Sequence, residues 1–247
     1  MEKKKGKRKL LLAIVFLAVL GFGVALFYHA YEYHAWRRDG RVAQETADSI
    51  QEIFETYTAA PVAFEQAIDF TGNSDIIAHI SIRGTRIANL VVQGEDNAFY
   101  LYRDVFGNSN VNGALFLDYR NSPDFSDPNT IIYGHNMNNG TMFHNLRYYV
   151  EGDGQAFFEA HPEIQIITQG EALIYEIFSV FITRVDFNYI QTNFAPGEFA
   201  GLVEELNRRN TLDTGIYATE EDRLLLLSTC TNISRDTRIV VAGRLRG

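Results

Sequence analysis

Eight short runs rich in β-branched and aromatic residues constrain this chain more than anything else in it. They cover residues 76–82, 87–92, 114–117, 130–133, 164–168, 172–185, 224–229 and 238–245, with turn-forming residues between most of them. Runs of that length and composition read as strands, and eight of them at such spacing suit a closed or nearly closed barrel, which leaves no long unpaired edge. Helical segments are expected between them at 96–102, 142–149, 154–160 and 196–209. In the last, Pro196 suits a first helical turn, and Phe199, Leu202, Val203 and Leu206 fall on one face. That helix sits within the long connection 186–222, and long connections inside compact domains often carry function.

Ahead of the barrel the sequence changes character. Residues 1–9 (MEKKKGKRK) carry six Lys/Arg against one Glu, a net +5, and residues 10–27 carry no charge. Since the whole chain is −9, the remainder from residue 28 onward is −14. So acidic a body argues against a general nucleic-acid binder, which would present a basic face. The run LLLAIVFLAVLGFGVALF is 18 uninterrupted apolar residues, long enough to span a bilayer, and Tyr28, Tyr31, Tyr33 and Trp36 follow it like an interfacial belt. A cleaved signal peptide competes with this reading, but its apolar region is usually about 7–15 residues and ends in a small-residue cleavage pattern that this sequence lacks. The expected organisation is a basic cytoplasmic tail (1–9), a transmembrane anchor (10–28), a helical extension or linker (29–74) and a barrel (75–247) outside the cell membrane. In the extension, Val42, Ala43, Ala47, Ile50, Ile53 and Phe54 can share one helical face.

Extracytoplasmic cysteines normally pair as disulfides, yet Cys230 is alone in the chain. One reading is a buried, inert thiol. Its surroundings offer another, because the apolar run LLLLST places Cys230 at or just past the end of a buried strand. Eight residues on, Arg238 opens the next apolar strand. If residues 231–237 turn the chain into a hairpin, Arg238 returns beside Cys230, where a guanidinium could favour the thiolate and bind an oxyanion. A solvated surface arginine is the plainer alternative, and Arg235 competes for the role from the same loop. His135 likewise follows a strand, Ile131-Ile132-Tyr133, and an imidazole there can serve as acid or base or simply as a hydrogen-bonded structural residue. His29, His34, His79, His144 and His161 lack comparable context. No helix-face histidine pair and no second cysteine suggest a metal site, and none is expected.

Taken together, Leu227-Ser228-Thr229-Cys230, Arg238 and Tyr133-Gly134-His135-Asn136 resemble the signature segments of the sortase family. Upstream segments resemble it in the right order: Ile82 to Ile87, Val91 to Gly94, Asp96-Asn97, Tyr100-Leu101 and Gly113 to Asn121. The helical extension, the helix-bearing 186–222 connection and the Ser-Thr-Cys form of the cysteine motif are most like class B. His79 and Leu90 depart from the family, standing where many relatives have Trp and Pro. The resemblance implies a mainly β fold, an eight-stranded barrel with peripheral helices, and a membrane-anchored cysteine transpeptidase. It implies Cys230 as nucleophile, His135 as acid/base and Arg238 as oxyanion-stabilising cation. Ser228, Tyr133, Asn97, Thr183, Tyr189 and Ile190 are the implied lining of a groove that takes sorting-signal peptides of secreted proteins. The implied acceptor is a peptidoglycan precursor amine, and no cofactor or metal is expected. An extracytoplasmic cysteine peptidase that hydrolyses the same thioester, and a non-catalytic wall-binding module, remain as alternatives.

Overall fold

A computed structural model describes residue 23, residues 26–31, 33–34, 70–231 and 234, and residues 236–247. The chain divides into two compact units, Met1–Val42 and Ala43–Gly247. In the first, Gly23, residues 26–31, Tyr33 and His34 are helical and exposed. Among the described residues no helix is long and apolar enough to cross a membrane. The expected basic tail and most of both the expected anchor and the helical extension lie outside the described residues.

In the second unit, eight strands close a barrel: β1 (Ile76–Ser81), β2 (Ala88–Val92), β3 (Leu115–Leu117), β4 (Asn129–Tyr133), β5 (Glu163–Ile167), β6 (Ala172–Arg184), β7 (Leu224–Cys230) and β8 (Thr237–Leu245). Their order around the barrel is β1-β2-β3-β4-β7-β8-β6-β5. The pairs β2/β3 and β4/β7 are parallel, and the others are antiparallel. Each expected run is a strand with ends within one residue of those read from the sequence.

Two layers of packing explain why the strands read as they do. One core fills the barrel with residues from every strand, among them Ala78, Val91, Leu115, Ile132, Ile166, Tyr175, Leu225, Leu227 and Val241. A second core covers the outer face of β4, β7, β8 and β6, where Ile131, Leu224, Leu226 and Val240 meet Tyr189, Leu202, Val203 and Leu206. The run Leu224–Leu227 is therefore apolar without alternation because both of its faces are covered. Each such side chain contributes roughly 1.5–3 kcal/mol relative to leaving it exposed.

The helix that covers this face spans Glu198–Arg209. Pro196 is not in its first turn, as the sequence suggested. Gly197 stands between them at φ 83°, in the left-handed region, so right-handed helical geometry begins only at Glu198. Gly154–Ala160 is a helix capped by Asp153, whose side chain accepts from Ala156 N. Phe99–Tyr102 and Phe143–Tyr149 are 3-10 helices. The two departures at His79 and Leu90 are direct cross-strand partners on β1 and β2. His79 is buried, and burial pulls its pKa down to about 4, so the ring is neutral at neutral pH.

Candidate active site

Strand register brings the chemistry together. On the antiparallel β7/β8 pair Cys230 lies directly opposite Arg238, and Arg238 lies opposite Thr183 on β6. Directly opposed residues of an antiparallel pair project from the same face, so the thiol and the guanidinium emerge side by side. The face they share is the outer one, continued by Ser228 and Leu226 at steps of two. Cys230 is exposed, while every other residue of β7 is buried. A buried strand thus fixes the backbone of an accessible thiol.

His135 reaches the same place from β4. Parallel pairing sets Tyr133 beside Ser228, and Gly134 N continues the ladder by donating to Ser228 O at 3.3 Å. Asn136 Nδ2 donates to Cys230 O at 3.1 Å, which ties the turn around His135 to the end of β7. Gly134 allows this close approach, since a Cβ there would lie 2.8 Å from Phe143 Cδ2 and press on Leu115. The ring of His135 is half-buried, with Nε2 2.7 Å from Leu101 O and the Tyr102 ring 5.6 Å away between centroids. A carbonyl oxygen only accepts, so Nε2 carries the proton in this contact. Gly113 keeps that carbonyl in place: its φ is 62°, and a Cβ would stand 2.5 Å from Leu101 O.

A groove of about 270 Å³ opens between these elements. Asn97, Tyr133, His135, Tyr189, Ile190, Ser228, Cys230 and Arg238 line it, as do Leu101, Phe116, Gly134, Val185, Phe187 and Thr229. Thr183 does not, although the sequence suggested it. It faces the same way as Arg238 but is buried one strand farther on, and it lines a neighbouring hollow with Phe187, Arg209 and Thr237. Arg235, the competing arginine, lies outside the described residues. Among the described residues no group of three or more His, Cys, Asp or Glu side chains could hold a metal ion.

The groove walls are pinned by polar contacts. Tyr189 OH and Ser228 Oγ are 2.8 Å apart, and burial pushes the tyrosine pKa up against the opposing pull of that contact, so the phenol stays protonated. Asn129 Nδ2 donates to Tyr189 O at 3.0 Å and to Gln191 O at 2.8 Å, fastening the 186–222 connection to β4. Behind the wall lies Asp118, which accepts from Tyr133 OH at 2.8 Å, from Asn97 Nδ2 at 3.0 Å and from Arg120 Nη2 at 2.7 Å. Burial pushes this carboxyl up, but the bonds from Arg120, Tyr133 and Asn97 outweigh it and hold its pKa below the ordinary value. The tyrosine moves the other way: burial first, then the neighbouring carboxylate, drive Tyr133 well above the usual range.

Residues 80–246 match the family model described as the sortase domain. The chain belongs to the sortase family. It is 34% identical over 177 residues to Sortase B of Listeria monocytogenes, an alignment covering 70% of each protein. Sortase B of Staphylococcus aureus is 32% identical over 176 residues, 70% of this chain and 71% of that one. The solved Staphylococcus aureus sortase B–substrate complex superposes with a TM-score of 0.72 at 28% identity, covering 85% of this chain and 97% of the other. Clostridium perfringens sortase B gives 0.66 at 31% identity, covering 71% and 96%. This sortase is thus a cysteine transpeptidase most like class B. Its groove includes residues that the sequence did not single out, chiefly Leu101, Phe116, Val185 and Phe187. Apolar, and borne by a 3-10 helix (Leu101), a strand (Phe116) and the connection after β6 (Val185, Phe187), they look in the sequence like any packing residue.

Proposed function

We propose that this sortase cleaves a C-terminal sorting signal of secreted proteins through a thioester on Cys230 and passes the acyl group to a peptidoglycan precursor amine. The observation that carries the reading is the register of an exposed Cys230 against Arg238, with His135 beside them at one groove. In the first half-reaction the Cys230 thiolate adds to the scissile carbonyl carbon. The carbonyl oxygen becomes an oxyanion, for which Arg238 supplies donors. Collapse of the tetrahedral intermediate breaks the C–N bond as protonated His135 gives its proton to the leaving amine. The second half-reaction runs in reverse order: neutral His135 takes a proton from the incoming amine, which attacks the thioester and expels the thiolate. With Nε2 engaged by Leu101 O, Nδ1 is the nitrogen left to exchange that proton. Two solved relatives support the peptide and amine roles, a Staphylococcus aureus sortase B–substrate complex and a sortase B complexed with triglycine.

Mass spectrometry after incubation with a small library of sorting peptides tests the proposal. A mass increment on Cys230 that disappears when an amine acceptor is added is the expected result. No adduct with any peptide rejects the reading, and a hydrolysed product unchanged by added amine identifies a peptidase instead.

Arg238→Ala is expected to lower the rate about 10²- to 10³-fold with peptide affinity less affected, because an oxyanion donor acts mainly on the transition state. Arg238→Lys recovers only part of that, since an ammonium keeps the charge without the planar fork. Arg235→Ala should change the rate by less than about tenfold, on the sequence-based reading of Arg235 as a solvated charge. Steady-state kinetics decide, and a severe loss in Arg235→Ala with near-normal Arg238→Ala reverses the assignment.

We further propose that residues 10–28 anchor the enzyme in the lipid bilayer as a single pass, with residues 1–9 cytoplasmic and the barrel outside the cell. The +5 tail ahead of the 18-residue apolar run supports this orientation. Protease added to intact protoplasts should digest the barrel and spare a small basic fragment; protection of the barrel refutes the topology.

A further inference from the structure

The hydrogen bonds around Asp118 reach farther than a stabilising role requires. Its side chain is 0% exposed, and Arg120 grips it from two sides: Nε to Oδ1 at 2.8 Å and Nη2 to Oδ2 at 2.7 Å. Oδ1 also accepts from Arg120 N at 3.0 Å, and Oδ2 from Tyr133 OH and Asn97 Nδ2. Burying the Asp118 carboxylate against an Arg120 side chain that stays one-third exposed brings little net stability, because desolvation of the carboxylate offsets the attraction. What a fully satisfied buried network supplies is one fixed geometry.

That geometry is delivered to the groove. Tyr133 comes from β4 and Asn97 from the connection after β2, and both line it. Arg120 Nη2 also donates to Ile190 O at 2.9 Å, which joins a third lining residue from the 186–222 connection. Asn97 is the most tightly specified of them. Its Oδ1 accepts from Tyr119 N at 3.0 Å, and its Nδ2 donates to the Asp118 carboxylate. A carboxylate accepts and a backbone N–H donates, so this amide has one orientation. The second Nδ2 hydrogen is then the donor that Asn97 can offer to the groove.

We propose that Asp118 is a positioning residue for peptide recognition: through Asn97, Tyr133 and the Arg120–Ile190 tie it aims the Asn97 Nδ2–H at an acceptor oxygen of the acyl-donor peptide. That oxygen is a backbone carbonyl or a side-chain amide oxygen. The proposal rests on the sorting-peptide reading above. A charged carboxylate is needed at position 118, because every partner of its two oxygens is a donor, so an amide there turns its NH2 against either Asn97 and Tyr133 or Arg120, and Asn97 keeps only the tie of its Oδ1 to Tyr119 N.

The test is steady-state kinetics on Asp118→Asn with a peptide that acylates the unsubstituted enzyme, alongside the rate of Cys230 alkylation by iodoacetamide. KM is expected to rise about tenfold, the scale of leaving a buried acceptor oxygen of the peptide without its neutral donor. The turnover number and the alkylation rate should stay within about threefold, the pattern of lost ground-state binding. Asn97→Leu should raise KM similarly, and in the double variant the two penalties should not add, since both remove the same donor. An unchanged KM in Asp118→Asn overturns the proposal. Additive penalties overturn it too, as does a fall in turnover and alkylation with KM unaltered. Should Asp118→Asn fail to fold, Arg120→Gln takes its place, since that side chain is 33% exposed and its loss removes both the fork and the Ile190 tie. There a raised KM supports the proposal and an unchanged one overturns it. Failure of the sorting-peptide reading shows separately, as the absence of any Cys230 thioester in the unsubstituted enzyme, and it removes this proposal as well.

Discussion

Cys230→Ala is expected to abolish both cleavage and transfer while the barrel melts at an unchanged temperature. The thiol sits on the last residue of β7, exposed, whereas the residues before it from Leu224 to Thr229 are buried. Removing one sulfur atom from an exposed position leaves no cavity, so the transfer and cavity terms that make core truncations costly do not apply. The pairing with Arg238 is made by backbone groups and survives the change. The chemistry does not survive, because Cys230 is the chain's single cysteine. Cys230→Ser should be nearly as inactive, since an alkoxide is far harder to form at neutral pH than a thiolate. Steady-state kinetics and thioester mass spectrometry on both variants are the measurement. Activity above about a few per cent in the alanine variant, with contamination excluded, would end the assignment of Cys230 as nucleophile.

His135→Ala separates the thiol from the proton transfer. The variant should retain a cysteine that iodoacetamide alkylates at raised pH, yet lose turnover by about 10²- to 10⁴-fold, the usual contribution of a general acid/base. Two other histidines serve as controls. His144 is buried, and burial followed by the charge of Arg147 lowers its pKa. His161 is engaged elsewhere, with Nδ1 2.8 Å from Arg83 O. Neither lines the groove. Normal turnover in His135→Ala together with a dead His144→Ala or His161→Ala transfers the role to another ring.

Much of the barrel is legible in the sequence because burial on two faces leaves a continuous apolar signature and burial on one face leaves an alternating one. Leu224 to Leu227 announce a strand covered on both sides, and the helix that supplies the outer cover carries its own apolar stripe at Leu202, Val203 and Leu206. Pairing order is harder to read. Thr183 illustrates this: alternation along β6 indicates which way it faces, but that Phe187 and Thr237 border it, away from the groove, depends on where the chain returns after β6. Asp118, buried, and Arg120, one-third exposed, form an ion pair two residues apart, and in the sequence they look like ordinary turn charges after β3. Their role rests on contacts with residues 21 positions upstream, 15 downstream and 70 downstream, which no local pattern encodes.

The placement of Cys230 also bears on how its surroundings come apart on heating. β7 is hydrogen-bonded along one edge to β4 and along the other to β8, and apolar layers press on both of its faces. A strand so enclosed separates from its neighbours only when the whole barrel comes apart. Loss of the Leu224–Thr229 strand behind Cys230 is therefore expected to coincide with melting of the barrel, which thermal unfolding followed alongside Cys230 alkylation would check. The opposite wall, at residues 187–191, is seated by the packing of Phe187, Tyr189 and Ile190 on the second core and by polar ties from Asn129, Arg120 and Ser228.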